Sequence, residues 1–199
     1  QIFDRYATYN GSSPYKTPGM MSAIQNAEKH YGSFIPVKGM GDITKSLYKL
    51  AKRHGVKFYF NREVDKIIIK NKKACGVKIN NKELFSEIVV TNSDVYNTYR
   101  NLLNEKRKIK ALEQERSSSA FIFNWGIKKV FKELDLHNIF FSNNYKEEFD
   151  YIFNKKQLYS DPTVYINITC KDLPNDSPKG CENWYVMVNS PYCLLYTSP

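Results

Sequence analysis

The stretch that most constrains the fold lies between residues 55 and 99, where short apolar segments alternate with turn-forming residues. Four segments share this character: residues 56–60, 64–70, 77–79 and 88–91. They are rich in β-branched residues and are bounded by Asn, Lys and Gly, a pattern typical of strands. The last segment has apolar residues in succession, which indicates a strand buried on both faces. The sequence therefore predicts four consecutive strands here.

The flanking regions favour helices. Residues 18–31 predict a helix that begins near Pro18 and ends before Gly32, and residues 42–54 predict a second one. Between them Gly39 and Gly41 form a tight turn, and two glycines let backbone approach another group closely. A polar helix is expected over residues 97–116 and an amphipathic helix over residues 146–154.

The second half of the chain reads as a further set of strands. Residues 117–128 become a strand in which Phe121, Phe123 and Trp125 alternate with other residues and share one face. Further strands are predicted over residues 138–142, 163–169 and 182–189, with irregular chain over 130–137 and a Pro/Asp/Gly loop over 171–180.

Composition leaves some alternatives open. Aromatic residues make up 15% of the chain, which suits a large apolar pocket and equally suits a strand-rich fold. The net charge is +10, and residues 49–82 carry a marked excess of Lys and Arg over acidic residues. Such a segment is either a basic face for nucleic acid or anionic membrane, or an ordinary solvated surface. The scatter of the charges over strands and turns favours the second interpretation.

The cysteines and the hydropathy of the chain bear on metal binding, on the redox state of the thiols and on membrane insertion. Cys75, Cys170, Cys181 and Cys193 form no Cys-x-x-Cys pair and have no histidine at zinc-ligand spacing, so no metal site is predicted. We interpret them as reduced thiols of an intracellular protein. No apolar run approaches the length of a membrane span.

Several motifs carry a family resemblance. The pattern GV-x-F-x-x-x-x-EV-x-x-I, followed by a β-meander and TNSD, is similar to the middle of FAD-dependent amine-oxidase-like flavoproteins. Within that superfamily the chain looks most like the bacterial-type phytoene desaturases, or carotenoid desaturases. The motifs ATYNG-SSPY, SSSAF-x-F, DPT-x-YIN and GCENWYVMVN add to the likeness, which extends from the start to about Tyr192.

The resemblance implies a fold and a cofactor. It implies an α+β or α/β chain made of part of a Rossmann-like FAD-binding domain and a mixed-sheet substrate domain. The expected division is substrate-domain helices and linker over residues 1–55, returning strands of the FAD-binding domain over 56–96, and the substrate domain over 97–192. Val64, of the EV pair, is expected against the adenine end of FAD. Asn92, Asp94, Gly39 and Gly41 are the weaker candidates for cofactor contacts.

The resemblance also implies a reaction in which the flavin, and not a side chain, accepts a hydride. No paired carboxylates or nucleophile–base arrangement stands out, and no catalytic side chain is predicted. The partner that the resemblance implies is a hydrophobic polyene such as phytoene, and binding of nucleic acid is not expected. The aromatic residues expected to line its apolar cavity are Tyr6, Tyr9, Tyr15, Phe121, Phe123 and Trp125. Packing within the core is the alternative role for each of them.

Two expectations concern the extent of the chain. Neither the N-terminal Gly-x-Gly-x-x-Gly fingerprint of the family nor its C-terminal FAD segment occurs in these 199 residues, so we expect a central segment that binds FAD weakly or not at all by itself. Residues 193–199 depart from the family pattern and are interpreted as a non-native tail. The expected location is the cytoplasm, and a peripheral position at the membrane is the alternative.

Other functions remain open. On the same scaffold they are a carotenoid isomerase, a retinol saturase-like enzyme or an amine oxidase. The rival of a different class is a non-enzymatic basic module that binds nucleic acid or membrane.

Overall fold

A computed structural model describes residues 2–106 and 109–192. Its helices are α1 (Ala23–Tyr31), α2 (Gly41–Arg53), α3 (Val95–Asn97) and α4 (Tyr145–Asp150). Its strands are β1 (Lys66–Lys70), β2 (Lys73–Ile79), β3 (Lys82–Phe85), β4 (Ser119–Ile127), β5 (His137–Phe140), β6 (Val164–Asn167) and β7 (Glu182–Ser190). Short 3-10 segments occur at Phe3–Asn10, Gly19–Ser22, Lys110–Glu113, Thr169–Lys171 and Pro174–Asp176, and π-helical turns at Thr98–Leu102 and Tyr151–Lys155.

The chain divides into two compact units. The first unit combines the residues up to Ser33 with those from Arg116 onward, and the second unit is Phe34–Glu115. The architecture is a mixture of helices and antiparallel sheets, which confirms the α+β class. The three-part functional division expected from the family stays a prediction, because contact between residues does not report their roles. The tail expected at residues 193–199 lies outside the described residues.

The second unit contains an antiparallel meander with the strand order β1-β2-β3. Both connections are two-residue turns with positive φ at each position, made by Asn71 and Lys72 and by Asn80 and Asn81. Asn adopts this left-handed conformation more easily than most residues, so it favours these tight hairpins. The predicted strand at 77–79 is confirmed and begins earlier, at Lys73, while β3 was not predicted.

Two predicted strands in the second unit are wrong. Residues 56–60 and 88–91 belong to no strand, and they pair with none of the seven strands of the described chain. The expectation that 88–91 is buried on both faces is also wrong, since Ile88 and Val90 are 77% and 88% exposed. In the first of these segments Phe58 and Phe60 stack on each other, and Tyr48 of α2 lies against both rings.

The long helix predicted over 97–116 is also wrong. The structure has the single turn α3, the π-helical turn Thr98–Leu102 and a separate 3-10 turn at Lys110–Glu113. Asn104 takes a positive φ of 50°, which is incompatible with a continuing helix. The other predicted helices are confirmed, and the helix over 146–154 is completed by a π-helical turn after α4.

The first unit is built on a four-stranded sheet with the order β4-β7-β6-β5. All three strand pairs are antiparallel, so the mixed sheet expected for this region is corrected to an antiparallel one. The predicted strands over 117–128, 138–142, 163–169 and 182–189 are confirmed as β4, β5, β6 and β7.

Two apolar clusters form the core of the first unit. One consists of residues Tyr145, Phe149, Ile152 and Phe153, which recur at helical spacing in α4 and the turn after it. The other lies on one face of the sheet and contains Ile166, Ile168 and Val186, with Leu134 and Trp184 packed against them. Both clusters are small, so individual buried polar contacts contribute visibly to stability.

A buried ion pair joins β7 to the loop after β6. Lys171 Nζ lies 2.7 Å from Glu182 Oε1, and Glu182 is 2% exposed. The same carboxylate accepts hydrogen bonds from Phe131 N at 3.0 Å and Trp184 Nε1 at 2.8 Å. With three donors around it, the carboxylate is well satisfied inside the protein.

Replacing Lys171 by Met is therefore expected to lower the free energy of unfolding by about 3 kcal/mol, because it leaves the Glu182 charge buried with one donor fewer. Urea denaturation at neutral pH measures the change. Lys155→Met is the matched control, since its ion pair with Asp150 at 3.6 Å is solvent-exposed and its loss should shift the urea midpoint much less. Equal shifts in the two variants would contradict the prediction.

A second prediction concerns Gly76 in β2. A Cβ at this position would lie against the carbonyl oxygen of Leu84 and 2.9 Å from the Cα of Phe85. Gly76→Ala should lower the free energy of unfolding by about 2 kcal/mol, since backbone atoms of β3 must move. Gly126→Ala in β4, where an added Cβ meets nothing within 4 Å, is the control. If both variants unfold at the same urea concentration, β2 and β3 are not as closely packed as the structure shows.

Candidate functional site

Val64 lies in extended chain just before β1. It is half-buried, and its own peptide N–H and C=O make no backbone hydrogen bond with the described residues. The next residue, Asp65, already donates its N–H to Lys78 O at 2.8 Å. Unpaired peptide groups beside a fixed strand fit the backbone contact that the family resemblance implies for the adenine end of FAD.

Asn92 and Asp94 lie in the exposed chain after residues 88–91. Asp94 Oδ1 accepts hydrogen bonds from Tyr96 N at 2.8 Å and Asn97 N at 3.3 Å, so its carboxylate caps the turn α3. Asn92 is exposed. Capping of α3 is enough to explain an aspartate at position 94, and contact of Asp94 with a cofactor stays a prediction.

Gly39 and Gly41 form the turn that leads into α2. Gly39 has a φ of +78°, donates its N–H to Pro36 O at 2.8 Å and accepts from Asp42 N at 3.0 Å. Gly41 is the first residue of α2. A Cβ added to either would meet nothing within 4 Å. The turn explains the glycine at 39, but the open surroundings form no cradle for a pyrophosphate. Of the five residues predicted to contact FAD, Val64 fits best.

The aromatic residues predicted to line a substrate cavity all belong to the first unit. In β4, Phe121, Phe123 and Trp125 lie opposite Val188, Val186 and Trp184 of β7 and share their face of the sheet. The rings of Phe123 and Trp125 are 5.9 Å apart, and the two side chains are 45% and 48% exposed. Trp125 and Trp184 also line a surface cleft of about 510 Å³.

The three predicted tyrosines lie near the start of the chain. The rings of Tyr6 and Tyr9 are 5.8 Å apart, and their hydroxyls donate to the two oxygens of Glu28 in α1 at 3.0 and 3.2 Å. The bond to Glu28 raises the pKa of Tyr6, and burial raises that of Tyr9. Tyr15 is 51% exposed, and burial together with the nearby charges of Asp4 and Glu148 raises its pKa.

The structure separates the six aromatic residues into two groups. Tyr165 of β6 pairs with Met187, so it points to the face opposite Phe123 and Val186. Its hydroxyl lies 2.7 Å from His137 Nδ1, and burial raises its pKa, with a further contribution from Tyr9. The role of both groups in substrate binding stays a prediction.

A group of buried polar residues was missed by the sequence reasoning. Arg5, Tyr145 and Glu148, here called the Arg5 cluster, are 8%, 2% and 0% exposed. Glu148 accepts hydrogen bonds from Thr163 N at 3.1 Å and Thr163 Oγ1 at 2.6 Å. The charge of Arg5 acts on the pKa values of Tyr145, Glu148 and Tyr165, so its guanidinium lies among groups from α4 and β6.

Helical spacing contained a sign of this cluster. Glu148 follows Tyr145 by three residues and precedes Ile152 by four, which places its side chain within the apolar stripe of α4. A carboxylate at a core position needs partners, and this expectation could have been stated from the sequence. Arg5 offered no comparable indication, because its burial depends on contacts distant in sequence.

No metal centre is found in residues 2–106 and 109–192, where no three His, Cys, Asp or Glu side chains come together as ligands. None of the described helices combines the length and apolar character needed to traverse a bilayer. Cys75, Cys170 and Cys181 are free thiols, and Cys193 lies outside the described residues.

Comparison with known proteins gives three informative relatives. The chain is 57% identical over 192 residues to a 1-hydroxycarotenoid 3,4-desaturase of Flavobacterium sp. (strain P99-3), covering 96% of this chain and 39% of that protein. It is 33% identical over 191 residues to the phytoene desaturase of Neurospora crassa, covering 89% of this chain and 32% of that enzyme. It is 31% identical over 195 residues to a 4,4'-diapolycopene oxygenase of Methylomonas sp, covering 96% and 39%.

The chain thus spans about two fifths of the length of the first of these relatives. No model of a protein family matches it.

Glu148 generates a prediction about pH. Burial raises the pKa of this carboxyl, and the bonds from Thr163 oppose the shift only in part. An acid with a raised pKa in the folded state stabilises the fold below its unfolded pKa and loses that contribution as pH rises through the folded pKa. Glu148→Gln should therefore make the free energy of unfolding less dependent on pH above about 4.3, the ordinary value for Glu.

Urea denaturation at a series of pH values from 4 upward tests this, with Glu133→Gln as an exposed control. The wild type should lose stability relative to Glu148→Gln as the pH rises, and Glu133→Gln should follow the wild type. Parallel curves for the wild type and Glu148→Gln would show that Glu148 ionises normally in the folded protein.

Proposed function

Because the chain is homologous to the carotenoid desaturases along almost its whole length, we propose that the protein is an FAD-dependent oxidoreductase that desaturates a carotenoid. The observation that carries the proposal is the 57% identity across 96% of the chain to a protein with 3,4-desaturase activity in its name. Phytoene is one candidate substrate. A hydroxylated carotenoid is the stronger one, since identity to the phytoene desaturase of Neurospora crassa is 33%.

When bound, FAD supplies the acceptor for the hydride that leaves the polyene. The residues of this chain contribute binding and orientation. In the second unit, the backbone of the half-buried Val64 is proposed to contact the adenine end of FAD. The weaker candidates for cofactor contacts are Asn92, Asp94, Gly39 and Gly41. On this proposal, residues 56–96 of the second unit belong to the FAD-binding domain.

In the first unit, aromatic side chains are proposed to hold the polyene. Phe123 and Trp125 present two neighbouring, half-exposed rings on one face of the sheet, and apolar surface of this kind binds a hydrocarbon by excluding water. Tyr6, Tyr9 and Tyr15 offer a second aromatic surface with polar tips. We propose a cytoplasmic location, with a peripheral position at the membrane as the alternative, because a hydrophobic polyene partitions out of water into lipid.

The second candidate function is oxygenation of a polyene on the same scaffold. It is favoured by the 31% identity to the 4,4'-diapolycopene oxygenase of Methylomonas sp. The two functions differ in product: desaturation removes two hydrogens and adds a double bond, whereas oxygenation adds oxygen.

The test uses the full-length protein, FAD and liposomes that contain either phytoene or a 1-hydroxycarotenoid. We expect a product two hydrogens lighter, with absorption at longer wavelength, and loss of flavin absorbance when oxygen is excluded. Omission of FAD is the control. A product heavier by one oxygen identifies the oxygenase, and an unchanged polyene beside rapid oxidation of an amine would support an amine oxidase and overturn the proposal.

A further inference from the structure

The Arg5 cluster holds hydrogen-bond donors without partners. The terminal guanidinium nitrogens Nη1 and Nη2 of Arg5 and the hydroxyl of Tyr145 are buried, and none of them makes a well-formed hydrogen bond with a described residue. The guanidinium lies near enough to the Tyr145 hydroxyl to oppose the rise of its pKa, but their geometry leaves both without a satisfied bond. A buried donor that lacks an acceptor costs free energy, and a charged donor costs more. Folded proteins retain few such groups, and those that remain are candidates for contact with a ligand.

The surroundings select the chemistry of the missing acceptor. A guanidinium only donates hydrogen bonds, so the partner must offer lone pairs, while a tyrosine hydroxyl both donates and accepts. The carboxylate of Glu148 lies in the same cluster with both oxygens bonded to Thr163, and the charge of Asp4 also reaches Tyr145. These negative charges disfavour a phosphate or carboxylate and leave a neutral alcohol or carbonyl oxygen as the suitable acceptor.

The walls of the cluster are apolar. The ring of Tyr145 packs edge-on against Phe141 at 5.4 Å and against Phe149 at 5.0 Å, measured between ring centroids. Tyr15, one of the predicted substrate contacts, lies close enough to feel the charge of Glu148. A small set of buried polar atoms beside aromatic rings suits a mostly hydrocarbon molecule that ends in a single oxygen.

We infer that Arg5 and Tyr145 bind the oxygen of a hydroxylated or carbonyl-bearing polyene end group and so select that substrate over the plain hydrocarbon. The inference rests on the proposed function for its substrate class and adds the residues that distinguish members of that class. A site built to bond a hydroxyl discriminates against the analogue without it, because its donors are then left unpaired.

The experiment compares the full-length protein with the variants Tyr145→Phe and Arg5→Lys on two polyenes of equal length, one with a terminal alcohol and one without. The specificity constant kcat/KM and the binding constant, from the absorption change of the polyene, are measured for each. Tyr145→Phe removes one oxygen and keeps the ring. Tyr151→Phe, on the helical turn that follows α4, is the matched control.

We expect the preference for the alcohol over the hydrocarbon to fall about tenfold in Tyr145→Phe, the effect of one hydrogen bond, and further in Arg5→Lys. Tyr151→Phe should keep the wild-type ratio. Thermal stability of Tyr145→Phe should be equal to or above that of the wild type, since an unpaired buried hydroxyl is lost.

The outcomes separate the inference from the proposed function. If both polyenes are desaturated and every variant keeps the wild-type ratio, the inference is overturned and the proposed function stands. If the protein binds the alcohol selectively, loses that selectivity in Tyr145→Phe and desaturates neither polyene, the inference stands and the proposed function fails. Equal losses with both polyenes would show that the cluster has a structural role only, and would overturn the inference.

Discussion

Strand β7 connects the features of the first unit, because it pairs with β4 along nine residues and with β6 along four. Its side chains alternate, so Val186 faces the core cluster with Ile166, whereas Met187 shares the opposite face with Tyr165. A slip of one residue in either pairing would exchange the two faces and expose the core. The register of β7 therefore decides which aromatic residues of β4 can meet a ligand. It also positions Glu182, its first residue, against Lys171, which connects the start of the strand to the loop after β6.

The two buried carboxylates of this unit show how partners decide the cost of burial. Burial alone raises the pKa of each. For Glu182 the bonds from Lys171, Trp184 and Phe131 outweigh that effect and lower its pKa, so this residue stabilises the fold as pH rises above the ordinary range for Glu. For Glu148 the two bonds from Thr163 are insufficient, and its pKa stays raised. The sheet is thus anchored by a fully satisfied charge, while α4 carries an incompletely satisfied one beside Arg5. A charge that is retained in the core without full compensation is more characteristic of a functional region than of a structural support.

Local patterns in the sequence predicted local structure well and failed where contacts distant in the chain decide the outcome. Alternation identified β4, β6 and β7, and helical spacing identified α1, α2 and α4, because each of these elements carries its own periodic apolar face. Residues 88–91 have the composition of a buried strand, but a strand also needs a neighbouring edge, and composition does not report that edge. The composition of the polar segment after α3 suits a continuous helix and an interrupted one equally well. The interruption depends on the backbone of Asn104, whose φ is +50°. Among the site residues, the cofactor contact of Val64 stays a prediction. The burial of Arg5 could not be anticipated, since even Tyr145 follows it by 140 residues.

That separation gives the Arg5 cluster a second physical consequence. The segment Phe3–Asn10 is a 3-10 helix, which has weaker hydrogen-bond geometry than an α-helix and depends more on contacts with its surroundings. Those contacts include the bond from Ser118 N to Gly11 O at 2.7 Å, the bonds of Tyr6 and Tyr9 to Glu28, and the burial of Arg5 beside Tyr145. A ligand that supplies the missing acceptor binds this arrangement and not the one in which the segment has moved away, so binding also stabilises the segment. Binding of the proposed end group would therefore also stabilise the position of the tyrosines that precede Gly11. An end group without oxygen would leave the guanidinium unpaired and would gain less from the same aromatic surface.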